Sequence, residues 1–176
     1  MSQSLAEQVK AQFADQVLAI HRQLPAPKGQ PEQWVAEIRR EAALPVLRFC
    51  HEKLRLTYLA DVTAIDYLLM PGQHPERFAV IYVLRELKPD SAPMLVIKAW
   101  LPESDPTIES ATPIWKAANW LEREVYDMFG ITFRNHPNLI RILTPENFEG
   151  HPLRKDFPAA GIGYRDRFHV ITRDEA

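Results

Sequence analysis

The stretch TPIWKAANWLEREVYDMFG, residues 112–130, carries the densest helix signals in this sequence. Thr112 suits the N-cap, Pro113 the first helical position and Gly130 the left-handed residue that ends a helix. The apolar residues of the stretch follow the i, i+3, i+4, i+7 spacing of one helix face: Ile114, Ala117, Ala118, Leu121, Val125, Met128 and Phe129. The pattern therefore predicts a helix over 112–130 that buries this stripe against a core.

The charged residues of the predicted helix border the apolar stripe or lie opposite to it. At about 100° per residue, Glu122 and Glu124 fall on opposite sides of the stripe. They cannot converge on one substrate atom, as a general acid–base pair must. Arg123 and Asp127 fall on the far face, four residues apart, and we expect a surface ion pair there. A core-facing helix with polar borders is thus favoured over a catalytic cluster. The alternative is that the charged and aromatic far face is an interface, with Glu124 and Asp127 close enough to bind an arginine from elsewhere.

Loops rich in proline and glycine divide the rest of the chain into helical and extended segments. Apolar periodicity predicts two further helices and five strands: helices at about 3–14 and 41–54, and strands at about 17–23, 34–39, 58–68, 77–87 and 94–101. The last three strands are joined by connections too short for crossover helices, so neighbours should be antiparallel. The sequence therefore predicts an α+β fold, a mostly antiparallel sheet with helices packed on one face.

Composition excludes several classes of function. The chain has 176 residues, a net charge of −2 and one cysteine, Cys50. A disulfide framework and a four-iron cluster both need more thiols than that. The six histidines show no metal-ligand spacing, and no glycine-rich phosphate loop or nucleophile elbow occurs. We therefore expect neither a catalytic residue nor a cofactor or metal in this chain, and the charge gives no reason to expect nucleic acid.

The last part of the chain, residues 131–176, shows no sustained helical or strand period. It mixes prolines with large apolar groups and with basic residues such as Arg134. An ordered segment of this length without its own core usually lies on another surface. We therefore divide the chain into an α+β domain at 1–130 and an extended arm at 131–176 that is ordered chiefly by a partner. A loosely ordered, solvated tail is the alternative.

Two motifs carry a resemblance to a known family. WKAANWLEREVYDMFGI (115–131) and HPNLIRILTPENFEGHPLRKDFP (136–158) resemble the 30-kDa or C-type subunit of respiratory complex I, whose counterpart in cyanobacteria and plastids carries the letter J. Asn135 stands where many relatives have glycine, and asparagine tolerates the left-handed conformation nearly as well. The motifs place these residues at interfaces or structural contacts: Glu122, Arg123, Glu124, Asp127, Gly130, His136, Pro137, Arg141, His151, Pro152, Leu153, Arg154, Lys155 and Asp156.

The resemblance implies a protein without a redox centre, in the peripheral arm of a proton-pumping NADH:quinone oxidoreductase on the cytoplasmic face of the membrane. Its partners would be the hydrogenase-like subunit that helps to build the quinone site and neighbouring iron–sulfur subunits. These and other partners would hold NADH, FMN, the iron–sulfur clusters and quinone. Membrane association would be through the complex only. The alternatives are the equivalent subunit of a membrane-bound NiFe hydrogenase or ferredoxin-dependent complex, and a stand-alone nucleic-acid-binding module.

Overall fold

The computed structural model describes residues 2–22, 33–87 and 94–162 of the chain. The helices in these ranges are α1 (Ser2–Gln12), α2 (Ala43–Glu52) and α3 (Ala118–Phe129). The strands are β1 (Val17–Arg22), β2 (Trp34–Arg39), β3 (Tyr58–Asp66), β4 (Phe78–Arg85), β5 (Met94–Leu101), β6 (Thr107–Glu109) and β7 (Thr132–Arg134). None of these helices has the length and apolarity that a bilayer crossing requires.

Five strands form one sheet in the order β1-β2-β5-β4-β3. The strands β3, β4 and β5 are antiparallel neighbours, which confirms the prediction from their short connections. The contact between β2 and β5 is parallel. It arises because α2 carries the chain from β2 to the far edge of the sheet, and β5 then returns to the centre. The predicted class, α+β with a mainly antiparallel sheet, is confirmed.

All three helices share one hydrophobic core on a single face of the sheet. In β4 every second side chain points to this face, and these side chains are fully buried: Phe78, Val80, Tyr82 and Leu84. Cys50 in α2 is also fully buried, and burial raises the pKa of its thiol to about 12. A thiol in that environment is a small core residue.

The third helix is shorter at its N-terminus than the sequence predicted. Residues 112–117 form turns, and α3 begins at Ala118 rather than near Thr112. The hydroxyl of Thr112 lies 2.7 Å from the Ser110 hydroxyl, so it does not cap a helix. The prediction for the other end is confirmed, because Gly130 ends α3 in the left-handed conformation with φ +69°.

The hydrophobic core also extends past the predicted boundary at residue 130. Ile131 and Phe133 are buried, and β7 pairs in parallel with β6. The sequence did not predict this short pairing, because each strand has only three residues. The remainder of the predicted arm is described over residues 135–162, and residues 163–176 lie outside the described part of the chain.

Candidate functional site

Helix α3 carries a buried carboxylate that fastens the chain beyond it. The side chain of Asp127 is fully buried, so the predicted surface pair with Arg123 is wrong. Its Oδ1 instead accepts a hydrogen bond of 2.7 Å from Arg141, and its Oδ2 accepts the backbone N–H groups of residues 142–144 at 2.8–3.0 Å. The Thr144 hydroxyl also donates to Oδ1. The arginine that Asp127 binds is therefore Arg141 of this same chain, whereas the alternative prediction was that Glu124 and Asp127 together bind an arginine from elsewhere.

The electrostatics of Asp127 follow from these bonds. Burial opposes ionisation, but donors from the Thr144 hydroxyl and amide, the Leu143 amide and Arg141 outweigh it. Together they hold the pKa of Asp127 far below its usual range. The carboxylate therefore stays charged at neutral pH, and its role is to fix a turn rather than to exchange protons.

The sequence His151–Arg154 closes the C-terminal end of α3. The last carbonyls of a helix have no partner within it. Here the His151 Nδ1–H donates to the Asp127 carbonyl at 2.9 Å, and the Leu153 N–H donates to the Met128 carbonyl at 3.0 Å. Arg154 Nε donates to the Phe129 carbonyl at 2.5 Å. The HPLR motif is thus a cap on the helix that precedes it, and cations suit this end of the helix dipole.

Gly130 is needed for this cap as well as for its own backbone conformation. A Cβ at position 130 would overlap the imidazole of His151 and would lie 2.7 Å from Arg154 Nη2. Burial lowers the pKa of His151, chiefly by desolvation, so the ring packs against Gly130 as a neutral group. The two sequence motifs are therefore in direct contact in the fold.

The residues after Arg154 are tied to the edge of the sheet. The Lys155 N–H donates to Asp66 Oδ2 at 2.9 Å, and the Asp156 carboxylate lies 2.8 Å from Arg77 Nη2. Arg77 also donates to Asp66 at 2.9 Å and to Glu103. Burial opposes the charge on Asp66, but bonds from Arg77 and Lys155 lower its pKa overall. We call residues 136–156 the clamp segment, because hydrogen bonds fasten it to α3 and also to β3.

A second buried carboxylate, Glu122, faces the interior from α3. It accepts bonds from the Ser110 hydroxyl at 2.7 Å and from the Ala111 N–H at 2.6 Å. Burial raises its pKa to about 7, against these two hydrogen bonds. The hydroxyl of Tyr82 is buried and has no hydrogen-bond partner among the described residues. Glu122 therefore holds the turn before α3, as Asp127 holds the turn after it.

The remaining residues that the motifs placed at interfaces or structural contacts lie at separate positions along α3 and the clamp segment. His136 Nε2 lies 3.1 Å from the Asn119 carbonyl while its Nδ1 accepts the Asn138 N–H, so the proton is on Nε2. Pro137 and Pro152 follow the two clamp histidines, and Pro137 is exposed. The Glu124 side chain is exposed and forms no hydrogen bond or ion pair with other described residues. It is not brought together with Asp127 as an arginine-binding pair.

Sequence reasoning missed the residues that bind the clamp segment and Glu122. It assigned Asp66 and Arg77 only to strands, although both bind the clamp segment, and it did not single out Ser110, which binds Glu122. The available signal was a charged residue on the inward-facing alternation of a strand, as Asp66 is after Val62 and Ala64 in β3. Within the described ranges, no cluster of three or more His, Cys, Asp or Glu side chains is arranged to hold a metal ion. The charges assembled here hold chain segments together.

The region that contains these contacts is similar to known proteins. Residues 36–162 match the family described as the 30 Kd subunit of respiratory-chain NADH dehydrogenase. The C-type subunit of the NADH-quinone oxidoreductase of Citrifermentans bemidjiense is 49% identical over 124 residues, 70% of this chain and 73% of that protein.

Two solved structures are similar as well. A trypsin-resistant fragment of Nqo5 is 31% identical with a TM-score of 0.65, covering 79% of this chain and all of the fragment. A chain in the structure of an archaeal membrane-bound sulfane sulfur reductase shares the fold, with a TM-score of 0.68 at 18% identity over 97% of this chain and 93% of that one. The matched residues 36–162 include α3, Glu122, Asp127 and the whole clamp segment. This chain belongs to the family of the 30 Kd subunit of respiratory-chain NADH dehydrogenase.

Proposed function

We propose that this chain is a structural subunit of a respiratory NADH-quinone oxidoreductase of the complex I type, with no catalytic residue or cofactor of its own. The observation that carries the proposal is the family match over residues 36–162, which spans the clamp segment. The charged side chains of this region hold backbone turns and helix ends, as those of Asp127, Arg154 and Asp66 do. Groups used in this way supply a rigid surface to neighbours rather than chemistry.

The neighbours that we propose are the hydrogenase-like subunit of the quinone site and the adjacent iron–sulfur subunits. In this arrangement the chain would lie in the peripheral arm, on the cytoplasmic face of the membrane, and would reach the membrane only through its partners. NADH, FMN, the iron–sulfur clusters and quinone would then be bound by other subunits. The cysteine count supports this division of labour, since one thiol cannot hold a cluster.

Affinity purification of the tagged full-length chain from its own cells tests the assembly role. We expect the subunits of an NADH-quinone oxidoreductase to co-purify, with a hydrogenase-like protein among those retained after a high-salt wash. Deleting the gene should abolish NADH:quinone activity in membranes, and the wild-type gene should restore it. Recovery of NiFe hydrogenase or ferredoxin-oxidising subunits instead would support the alternative complex, and bound nucleic acid with a steep salt dependence would support the nucleic-acid module.

The absence of a cofactor is tested on the purified protein alone. Elemental analysis and an absorption spectrum should show no stoichiometric metal and no visible chromophore. A metal at one equivalent per chain, or a flavin spectrum that survives gel filtration, would contradict the proposal. Purification from the same cells of an iron–sulfur protein by the same protocol controls for loss of cofactor during handling.

A further inference from the structure

The outer face of α3 presents large apolar side chains to solvent. Trp120 is 64% exposed, and from the clamp segment Leu143 is 61% and Ile140 47% exposed. Exposed apolar residues that occur singly are ordinary in folded proteins, whereas a contiguous group usually marks an interaction site. The question is therefore whether these three side chains belong to one surface.

Arg123 joins them. Its guanidinium lies over the Trp120 ring, with 4.8 Å from Cζ to the ring centroid, and its Nε donates to the Ile140 carbonyl at 3.1 Å. One turn further along α3, Asp127 holds the Leu143 N–H at 2.8 Å. The stripe of α3 from Trp120 through Arg123 to Asp127 thus carries the clamp residues alongside it. Trp120 and Ile140 are thus linked through Arg123, and Leu143 is exposed three residues after Ile140 in the segment held along the same helix. We call these four residues the Trp120 face.

The backbone under this face is already ordered. The amides of residues 142–144 are bound to Asp127, and the imidazole of His136 is bonded to the Asn119 carbonyl. A surface that is rigid before binding loses little conformational entropy when it docks. Tryptophan and arginine are also the residue types that most often dominate the binding energy of protein interfaces.

We infer that the Trp120 face is a docking surface for a neighbouring protein of the complex, one that presents an apolar hollow with a carboxylate opposite Arg123. The terminal nitrogens of Arg123 form no hydrogen bond with other described residues, so its planar fork is open to a carboxylate. A single cation among three apolar side chains is poorly suited to nucleic acid, which requires several basic groups in a row. The inference rests on the proposed function and names the surface through which this chain assembles.

The test compares surface variants in the full-length tagged chain, expressed from its own locus. Trp120→Ala and Leu143→Ser remove apolar area from the face, and Arg123→Met removes the fork while keeping a long apolar stem. Leu69→Ser is the matched control, because Leu69 is 89% exposed on the loop between β3 and β4. The amount of each partner protein recovered per tagged chain is quantified by mass spectrometry, and thermal melting of the purified variants monitors folding.

We expect Trp120→Ala and Leu143→Ser each to lower partner recovery at least about tenfold, as interface hot spots do, with a melting temperature close to that of the wild type. Arg123→Met should lower recovery and weaken its dependence on salt, and Leu69→Ser should leave it unchanged. Wild-type recovery by folded Trp120→Ala and Leu143→Ser variants would overturn the inference while leaving the proposed function intact. If the wild-type chain retained no oxidoreductase subunit at all, the proposed function would fail. Dimerisation of the pure chain that Trp120→Ala abolishes would also overturn the inference, since the occupant would be a second copy.

Discussion

Replacing Glu122 by glutamine should change the pH dependence of the stability of this protein. The Glu122 side chain is fully buried, and burial raises its pKa from the usual 4.5 to about 7 in the folded chain. Glutamine has nearly the same shape, can accept the Ala111 N–H and can donate to the Ser110 hydroxyl. The variant therefore removes the titrating proton with little change in packing.

The sign and size of the effect follow from the two pKa values. A carboxyl group whose folded pKa lies above its unfolded value stabilises the fold in its protonated form, and this contribution is lost as pH rises from 4.5 through 7. A rise of that size corresponds to roughly 3 kcal/mol of unfolding free energy. The titration of Glu122 should therefore lower the unfolding free energy of the wild type by up to about 3 kcal/mol between pH 5 and pH 8. The Glu122→Gln variant should show no such decrease, because glutamine does not titrate.

Two partly buried histidines also make the stability depend on pH, with the opposite sign. Burial lowers the pKa values of His136 and His151 below 6.5, so their contribution is lost as pH falls through that region. Both proteins contain these histidines, and the difference between the variant and the wild type removes their contribution. Because His136 Nε2 lies 4.0 Å from Glu122, the comparison should be repeated with His136→Gln in both backgrounds.

The assay is urea unfolding of the purified protein at several pH values from 5 to 8, followed by circular dichroism. The free energy of unfolding of Glu122→Gln, relative to that of the wild type, should increase by about 2–3 kcal/mol from pH 5 to pH 8. A difference that stays constant with pH would refute the reasoning, because it would mean that Glu122 does not titrate between pH 5 and 8 in the folded chain.

Three further substitutions test the clamp segment. Asp127→Asn should lower the unfolding free energy by about 2–4 kcal/mol and make the peptide bond after Arg141 accessible to trypsin. The exposed control variant Glu124→Gln should do neither. Equal digestion of the two variants would contradict the contacts described for Asp127. Gly130→Ala should cost at least about 1 kcal/mol, because alanine is strained at φ +69° and its Cβ meets the capping side chains; an unchanged chemical denaturation midpoint would show that the helix end adapts freely. Asp66→Asn should accelerate amide hydrogen exchange at residue 155 by about tenfold or more while leaving exchange in the core unchanged, and an unchanged rate would mean that this carboxylate does not hold the clamp.

Most of the fold was predictable from local patterns. The strands β3, β4 and β5 are rich enough in Val, Ile and Tyr to be placed from sequence, and their short connections determine that they are antiparallel. The end of α3 was also predictable, since glycine at position 130 is the residue type that a left-handed helix end requires. These features depend on neighbours in sequence, and local propensity therefore suffices for them.

The contacts of the clamp segment depend on residues far apart in sequence. A helical wheel places Asp127 on the polar face of α3, and only the folded chain shows that residues 141–144 cover it and bury it. Residues 151–154 likewise read as an irregular tail until the open carbonyls of α3 are found to accept their donors. Nothing in the local sequence near Lys155 indicates that its amide would reach Asp66.

The sequence by itself therefore determined the α+β class, the central strands, the glycine at the end of α3 and, through two specific motifs, the family. Tertiary structure alone decided that the clamp segment binds its own domain, because a charged residue is buried only where several donors from distant segments converge on it. The same convergence left Trp120, Ile140 and Leu143 outside the core, held on a rigid surface. Which charges are buried and which apolar groups are exposed is a property of the assembled chain, since both depend on what packs against them.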